Sequence, residues 1–301
     1  MTKICSSPEA AVADIPDGAS VAIAGFGVGH SYPNSLVIAL KEQGARDLCV
    51  VANSLGAGEY RPELLLENGQ VSKVILSFSA RPGLASLVEQ RAAAGDVQLE
   101  MVPQGILVER LRAAGAGLPA FYSPVTVGTR LAEGKELREF DGKEYVLERA
   151  LPVDYALVRG FRADASGNVE FRGSSMHFHP SFAKGARVAI VEVDEIVEVG
   201  AIPPERVGLP GVFVARVVLA TKKIAIPKGA LGRRAPDTRR EYFGKPALSR
   251  LEFAQRAAAL LPEHGYVNLG SGLPTLVASH VSGRSITLHA ENRSEERRVG
   301  K

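Results

Sequence analysis

The sequence predicts an α/β chain built on an open, mainly parallel sheet with flanking helices. Three observations carry that reading. Short runs that are apolar almost throughout recur along the chain, as strands buried on both faces require. Segments with helical spacing lie between them, and those segments end in glycine, the residue that most easily takes the left-handed conformation closing a helix.

In order, the predicted strands are "SVAIAGF" (20–26), "LCVVAN" (48–53), "KVILSF" (73–78), "VQLEMV" (97–102) and "RVAIVEV" (187–193). The helical segments are "NSLVIALKEQG", "GLASLVEQRAAAG" and "ILVERLRAAGAG". Strands that alternate with helices of this length form βαβ units and a parallel sheet. From about Lys222 to Leu248 the chain turns rich in Pro, Gly and Arg with no sustained period, as an exposed connection does. A helical pattern resumes at "SRLEFAQRAAALLPEHG". The domains read from this are 1–225, a linker over 226–247, and the start of a second α/β domain over 248–292.

With 301 residues, 46% of them hydrophobic, the chain is long enough for a sizeable core. No apolar run approaches the roughly 20 residues of a spanning helix, and "MTKICSSPEA" lacks the layout of a signal peptide. Cys5 and Cys49 fall outside any C-x-x-C spacing and read as reduced packing residues. A cytoplasmic protein without a membrane partner is therefore expected. The net charge of +3 is scattered, "GRRAPDTRR" being the one modest basic cluster, so no nucleic-acid partner is expected either.

The two sides of the linker repeat one order of elements. The first runs helix, Asp17-Gly18, strand, "GFGVGHSYP", helix, strand and Asn53; the second runs helix, His264-Gly265, strand, "GSGLP", the helix "TLVASHV", strand and Glu291. Asn53 and Glu291 thus stand at corresponding strand ends, and in open α/β sheets the carboxyl ends of strands border the ligand crevice. Taken alone, Glu291 reads more readily as an ordinary surface glutamate.

Longer motifs add to this. "DGASVAIAGFGVGHSYP", "VPQGILVERLRAAGAGLPAFYSP", "EGKELREFDGKEYVLERAL", "GNVEFRG", "VEVDEIVEVG" and "LPGVFVARVV" closely resemble the first subunit of the family I CoA-transferases, the 3-oxoacid CoA-transferases. "YVNLGSGLPTLVASHV" followed by "LHAEN" resembles the opening of their second subunit, so the chain looks like a fusion of both. The resemblance implies a CoA-transferase-like fold and a transfer of CoA from an acyl-CoA of the succinyl or acetyl type to a short carboxylic or 3-oxo acid, as in ketone-body or short-chain acid metabolism. It implies no cofactor beyond the CoA thioester that serves as substrate, no metal, and a homo-oligomer when the chain is complete.

By the same resemblance Glu291 is the nucleophile, forming first a mixed anhydride and then a glutamyl-CoA thioester; a carboxylate is a competent covalent catalyst. Gln104 matches the glutamine that hydrogen-bonds substrate or CoA, and Asn53 the first of a paired asparagine motif. Gly25, Phe26 and Gly27 belong to the first glycine-rich signature, and Gly270 and Gly272 to the loop of the second half. These glycines read equally as tight turns or as ligand contacts.

Several positions depart from the family pattern: Ala24 and His30 replace glycines, one extra residue precedes Pro33, Ser54 replaces the second asparagine, and His177 and His179 replace asparagines. Two histidines at this spacing are read as pocket or packing residues, since no third ligand accompanies them. Arg293 stands where the family has glycine after Glu-Asn, and "RSEERRVGK" is what one frame of a common sequencing-adapter oligonucleotide encodes. Residues 293–301 are therefore expected to be non-native, with the second half truncated and the chain inactive as it stands. The alternatives are a sugar-phosphate isomerase-like protein or a noncatalytic binding domain of the same broad fold. A dinucleotide-binding domain is disfavoured, because "GFGVGH" lacks the G-x-G-x-x-G context and no acidic ribose partner follows.

Overall fold

The computed structural model describes residues 2–26, 31–56, 59–79, 86–222, 241–242, 244–270 and 272–290. The chain divides into two compact units, Met1–Ile224 and Ala225–Lys301.

In the first unit the strands are β1 (Ser20–Ile23), β2 (Leu48–Ser54), β3 (Val71–Phe78), β4 (Gln98–Met101), β5 (Ala120–Ser123), β6 (Leu137–Phe140), β7 (Lys143–Arg149), β8 (Val153–Arg159), β9 (Arg162–Asp164), β10 (Val169–Glu170), β11 (Ala186–Val193), β12 (Glu195–Val197) and β13 (Arg216–Leu219). The helices are α1 (Pro8–Val12), α2 (Asn34–Gln43), α3 (Glu63–Glu67), α4 (Leu87–Ala94), α5 (Gln104–Gly115) and α6 (His179–Lys184). Seven strands form one parallel sheet in the order β13-β11-β8-β1-β2-β3-β4. The predicted α/β class with a mainly parallel sheet is thus the fold observed.

Period-two alternation sorts the sheet residues onto two cores. Val21, Ile23, Val50, Ala52, Val74, Leu76, Leu157 and Ile190 face α1 to α4. Ala22, Ala24, Val51, Ile75, Ala156, Val158, Ala189 and Val191 face α5 and α6. Each fully buried Val, Leu or Ile contributes roughly 1.5–3 kcal/mol. The alanines of the second face accompany a close approach of α5 to α6, where a Cβ on Gly115 would lie 2.7 Å from the Lys184 backbone. Gly44 and Gly95 close α2 and α4 in the left-handed conformation, as their sequence positions require.

Two elements outside the predicted set complete the central sheet. β8 escapes an apolar-run reading because Asp154, Tyr155 and Arg159 interrupt it, and β13 is only four residues long. A separate antiparallel sheet, β5-β7-β6, and a small one, β10-β9-β12, extend from the unit.

The second unit, taken by itself, contains a short antiparallel ribbon of β14 (Glu241–Tyr242) and β15 (Lys245–Pro246), then α7 (Arg250–Ala259), β16 (His264–Leu269) and β17 (Ser285–Ala290). β16 and β17 pair in parallel. Between them Leu273–His280, read as an α-helix from "TLVASHV", is a 3-10 helix with Pro274 in its first turn. His264 and Gly265 open β16 rather than forming a turn before it. Ser249 and Glu252 build a capping box on α7. The core is small, around Ala254, Ala258, Leu269, Val277 and Val281, and Leu260 and Tyr266 are 84% and 87% exposed. Residues 293–301, expected to be non-native, lie outside the described residues. Among those that are described, no helix is long and apolar enough to cross a membrane.

Candidate active site

The strand order reverses at β1: β2, β3 and β4 follow on one side, and β8, β11 and β13 on the other. The carboxyl ends at such a switch point form the crevice where open α/β sheets take ligands. Four of the predicted residues lie on this edge. Gly25 and Phe26 follow β1, Asn53 is near the end of β2, and Gln104 opens α5 after β4.

Asn53 and Gln104 touch. Gln104 Nε2 donates to Asn53 Oδ1 at 2.7 Å, and Asn53 is 2% exposed. That bond fixes the orientation of the Asn53 amide, leaving its Nδ2 hydrogens and the Gln104 carbonyl oxygen outside the pair.

Gly25 has a steric reason to be glycine. A Cβ there would lie 2.2 Å from Cδ1 of Tyr32, and one on Gly56 would lie 3.1 Å from the other side of the same ring. Tyr32, 2% exposed, is held between them and places its hydroxyl 2.9 Å from Ser54 Oγ and 3.1 Å from the Ser54 carbonyl oxygen. Ser54, which departs from the family's second asparagine, is therefore a partner of Tyr32. Gly25 is thus needed for the close approach of Tyr32, a role that neither the tight-turn nor the ligand-contact reading of the sequence contained.

Phe26 joins an aromatic group. Its ring centroid is 6.0 Å from that of His177 and 5.8 Å from Phe178, while His177 and His179 are 4.6 Å apart. Phe171 stacks on His179 at 5.7 Å. His179 is fully buried, and its Nδ1 accepts the Arg159 backbone N–H at 3.2 Å, so that nitrogen carries no proton.

Gly270 and Gly272 lie in the turn between β16 and the 3-10 helix of the second unit. Gly272 has φ +93°, a conformation L-residues avoid, whereas a Cβ on Gly270 would meet only Pro274 at an ordinary 3.9 Å. Gly27 and Glu291, the predicted nucleophile, lie outside the described residues.

Sequence reasoning missed Glu192, Arg159 and Tyr32. Glu192, in β11, is fully buried and bonded through Oε2 to the N–H of Leu36 at 3.0 Å, and the N–H and hydroxyl of Ser35 also favour its charged form. Arg159, at the end of β8, pairs with Glu192 Oε1 and reaches Asp194 at 2.6 Å. Burial pushes the Glu192 carboxyl up to about 6, against the opposing pull of Arg159 and of the Leu36 and Ser35 donors. The signal was present as the one acidic residue in the apolar run "RVAIVEV".

These bonds close the first turn of α2. The Asn34 N–H goes to Tyr32 O at 2.9 Å, that of Leu36 to Glu192 at 3.0 Å, and that of Val37 to Pro33 O at 3.0 Å. A helix start after a glycine-rich loop ordinarily offers its free N–H groups to a phosphate. Here the protein's own carboxylate occupies them. A cavity of about 610 Å³ lies beside this region, lined by Phe161, Glu170, Phe171, Arg172, Gly173 and Arg206. Glu170 is already paired there with Arg162 and Arg206, and neither Asn53 nor Gln104 lines the cavity.

Comparison with known proteins places the chain in a family. The sequence pattern of the family described as Coenzyme A transferase matches residues 5–220. A mitochondrial succinyl-CoA:3-ketoacid coenzyme A transferase 2A of Rattus norvegicus is 37% identical over 309 residues, covering 96% of this chain and 58% of that protein. The chain thus spans about 58% of the length of this relative. One subunit of a succinyl-CoA:3-ketoacid coenzyme A transferase from Xanthomonas campestris pv. campestris is 45% identical over 205 residues, which is 68% of this chain and 83% of the relative. Among solved structures, an acyl-CoA transferase from E. coli O157:H7, crystallised as a thioester complex with CoA, superposes with a TM-score of 0.77 at 22% identity, over 96% of this chain and 62% of that one. At that identity the likeness is one of fold. The sequence match over most of the first unit goes further: this chain belongs to the Coenzyme A transferase family.

Proposed function

We propose that the protein of which this chain is a part transfers CoA from an acyl-CoA to a short carboxylic acid. The observation that carries the reading is the Gln104–Asn53 amide pair, held at 2.7 Å on the carboxyl edge of the switch point, in a chain of this family. Amide donors fixed at that edge suit a substrate carboxylate or thioester carbonyl, whose negative charge grows during acyl transfer.

In the proposed mechanism the Glu291 carboxylate attacks the thioester carbonyl, releasing CoA thiolate and forming a mixed anhydride. The thiolate attacks the glutamyl carbonyl of that anhydride, giving a glutamyl-CoA thioester and freeing the donor acid. The acceptor carboxylate then repeats the two steps in reverse. No water is consumed, and the thioester bond is conserved provided the site excludes solvent.

The test is exchange of isotope between an acyl-CoA and its free acid, followed by borohydride reduction and mass spectrometry. Reduction at Glu291, with exchange abolished in Glu291→Gln and Glu291→Ala, supports the reading; exchange that survives Glu291→Ala refutes the assigned nucleophile. The succinyl or 3-oxo acid substrates carried in the relatives' names are the first to try. Residence in the cytoplasm is part of the proposal: Cys5 and Cys49 are free thiols, as a reducing compartment keeps them. Fractionation decides between the cytoplasm and the mitochondrion named for the rat relative. A homo-oligomer is proposed for the whole protein, and light scattering measures it.

A further inference from the structure

We propose that Glu192 is a positioning residue for this site: through the first turn of α2 it holds Tyr32, and with Tyr32 the Gly25–Ser54 edge beside Asn53. The inference rests on the CoA-transferase reading for its link to catalysis, and on geometry alone for the positioning.

The connections are contiguous. Glu192 accepts from the Leu36 amide, and two residues back along the same turn the Asn34 amide donates to Tyr32 O. The Tyr32 ring fills the space between Gly25 and Gly56, and its hydroxyl reaches Ser54, the neighbour of Asn53 in β2. On the other side Arg159 ties Glu192 to the aromatic wall, because the Arg159 N–H donates to His179 Nδ1. One carboxylate therefore braces both sides of the switch point.

Among the described residues, the charged and titratable groups around it are few. Arg159 comes from β8, with Asp194 behind it and His179 of α6 beyond its amide. Ser35 of α2 favours the charged form of the carboxylate, and its hydroxyl oxygen accepts the Thr221 and Lys222 amides at 2.9 Å each. β13 presents the uncharged Val218 opposite Glu192. Burial opposes ionisation, so the charge is held at a cost in stability, and its retained contacts are those that fix α2. Protonation replaces charge-assisted hydrogen bonds with neutral ones of about half the strength.

Hydrogen exchange on the full chain tests this. In the wild type, local opening of this turn leaves Glu192 buried against Arg159, so the protection factors of the Ser35 and Leu36 amides are expected to fall roughly fivefold to tenfold between about pH 7.5 and about pH 5, although global stability rises over the same interval. The midpoint should lie at about 6. In Glu192→Gln they should be low at both pH values with no step, and Glu192→Asp should restore part of the step. The Leu107 amide, which closes the first turn of α5 on Pro103 O, serves as control and should not change. A flat profile in the wild type overturns the proposal, as does an unaltered step in Glu192→Gln or an equal loss at Leu107. In the exchange assay of CoA, the acid limb of kcat should carry the same midpoint and vanish in Glu192→Gln. If the wild type transfers no CoA, the functional reading fails while the amide profile still decides the positioning.

Discussion

Gly25→Ala is the sharpest test of how the glycine-rich edge is built. The new methyl carbon would sit 2.2, 2.4 and 2.6 Å from three ring carbons of Tyr32. The nearest of these is about 1.2 Å short of the 3.4 Å at which ordinary contact begins. The ring is held in place, since its hydroxyl is bonded to Ser54 and the space on the Gly56 side is narrow enough that an added Cβ there would lie 3.1 Å from it. Overpacking of this kind costs about 1–3 kcal/mol, and displacing the tyrosine loses hydrogen bonds of about 0.5–1.5 kcal/mol each. A loss of about 3 kcal/mol is therefore expected from urea unfolding, with Cm falling at unchanged m. Tyr32→Ala removes the obstacle, so the double variant Gly25→Ala/Tyr32→Ala should cost clearly less than the sum of the single changes. Additive costs, or a Gly25→Ala protein within about 0.5 kcal/mol of wild type, would show that the Tyr32 ring does not fill the space assigned to it.

Two further outcomes follow from the same edge. Gln104→Ala leaves the buried Oδ1 of Asn53 without its donor and should destabilise by about 1–3 kcal/mol, less if Asn53→Ala is added, as urea titration of the three variants measures. Glu192 shifts the pH dependence of stability: because its folded value is raised from 4.5 to about 6, the native state keeps a proton the unfolded chain has lost, and the wild type should lose about 2 kcal/mol as pH rises through that window. That slope should be missing from the Glu192→Gln curve, and parallel curves would refute the assignment.

Most of the parallel sheet was legible because a strand buried on both faces has almost no choice of residue. Predicted runs 48–53, 73–78 and 187–193 fall within one or two residues of β2, β3 and β11. β8 was not legible for the converse reason. Its polar residues are answered from elsewhere in the chain, Asp154 by the Ser20 N–H at 3.0 Å and Arg159 by Glu192 and Asp194, and no local window contains those partners. The contact of Gln104 with Asn53 likewise joins residues 51 positions apart, so motif resemblance could name both while periodicity could name neither. Gly25 was half legible. A glycine before a helix reads as a turn, and only the folded position of Tyr32 turns it into a requirement for space.

The first turn of α2 shows how one grammar of strand, glycine-rich loop and helix can serve different chemistry. In a dinucleotide or P-loop site the turn keeps its amides for phosphate, and the electrostatics of the helix end favour that anion. Here a carboxylate from β11 reaches the same amides, and Asn34 and Val37 are satisfied within the chain itself. A phosphate placed there would have to displace Glu192 both from those amides and from Arg159. The anion-binding end of the motif is thus consumed internally, at about 2 kcal/mol of stability once the group ionises. What remains for a ligand lies across β1, on the side of Asn53 and Gln104. On the proposed function, side-chain amides rather than helix amides would meet a carboxylate or thioester that must be released each turnover, and fixing α2 from within would keep those amides at a constant distance from it.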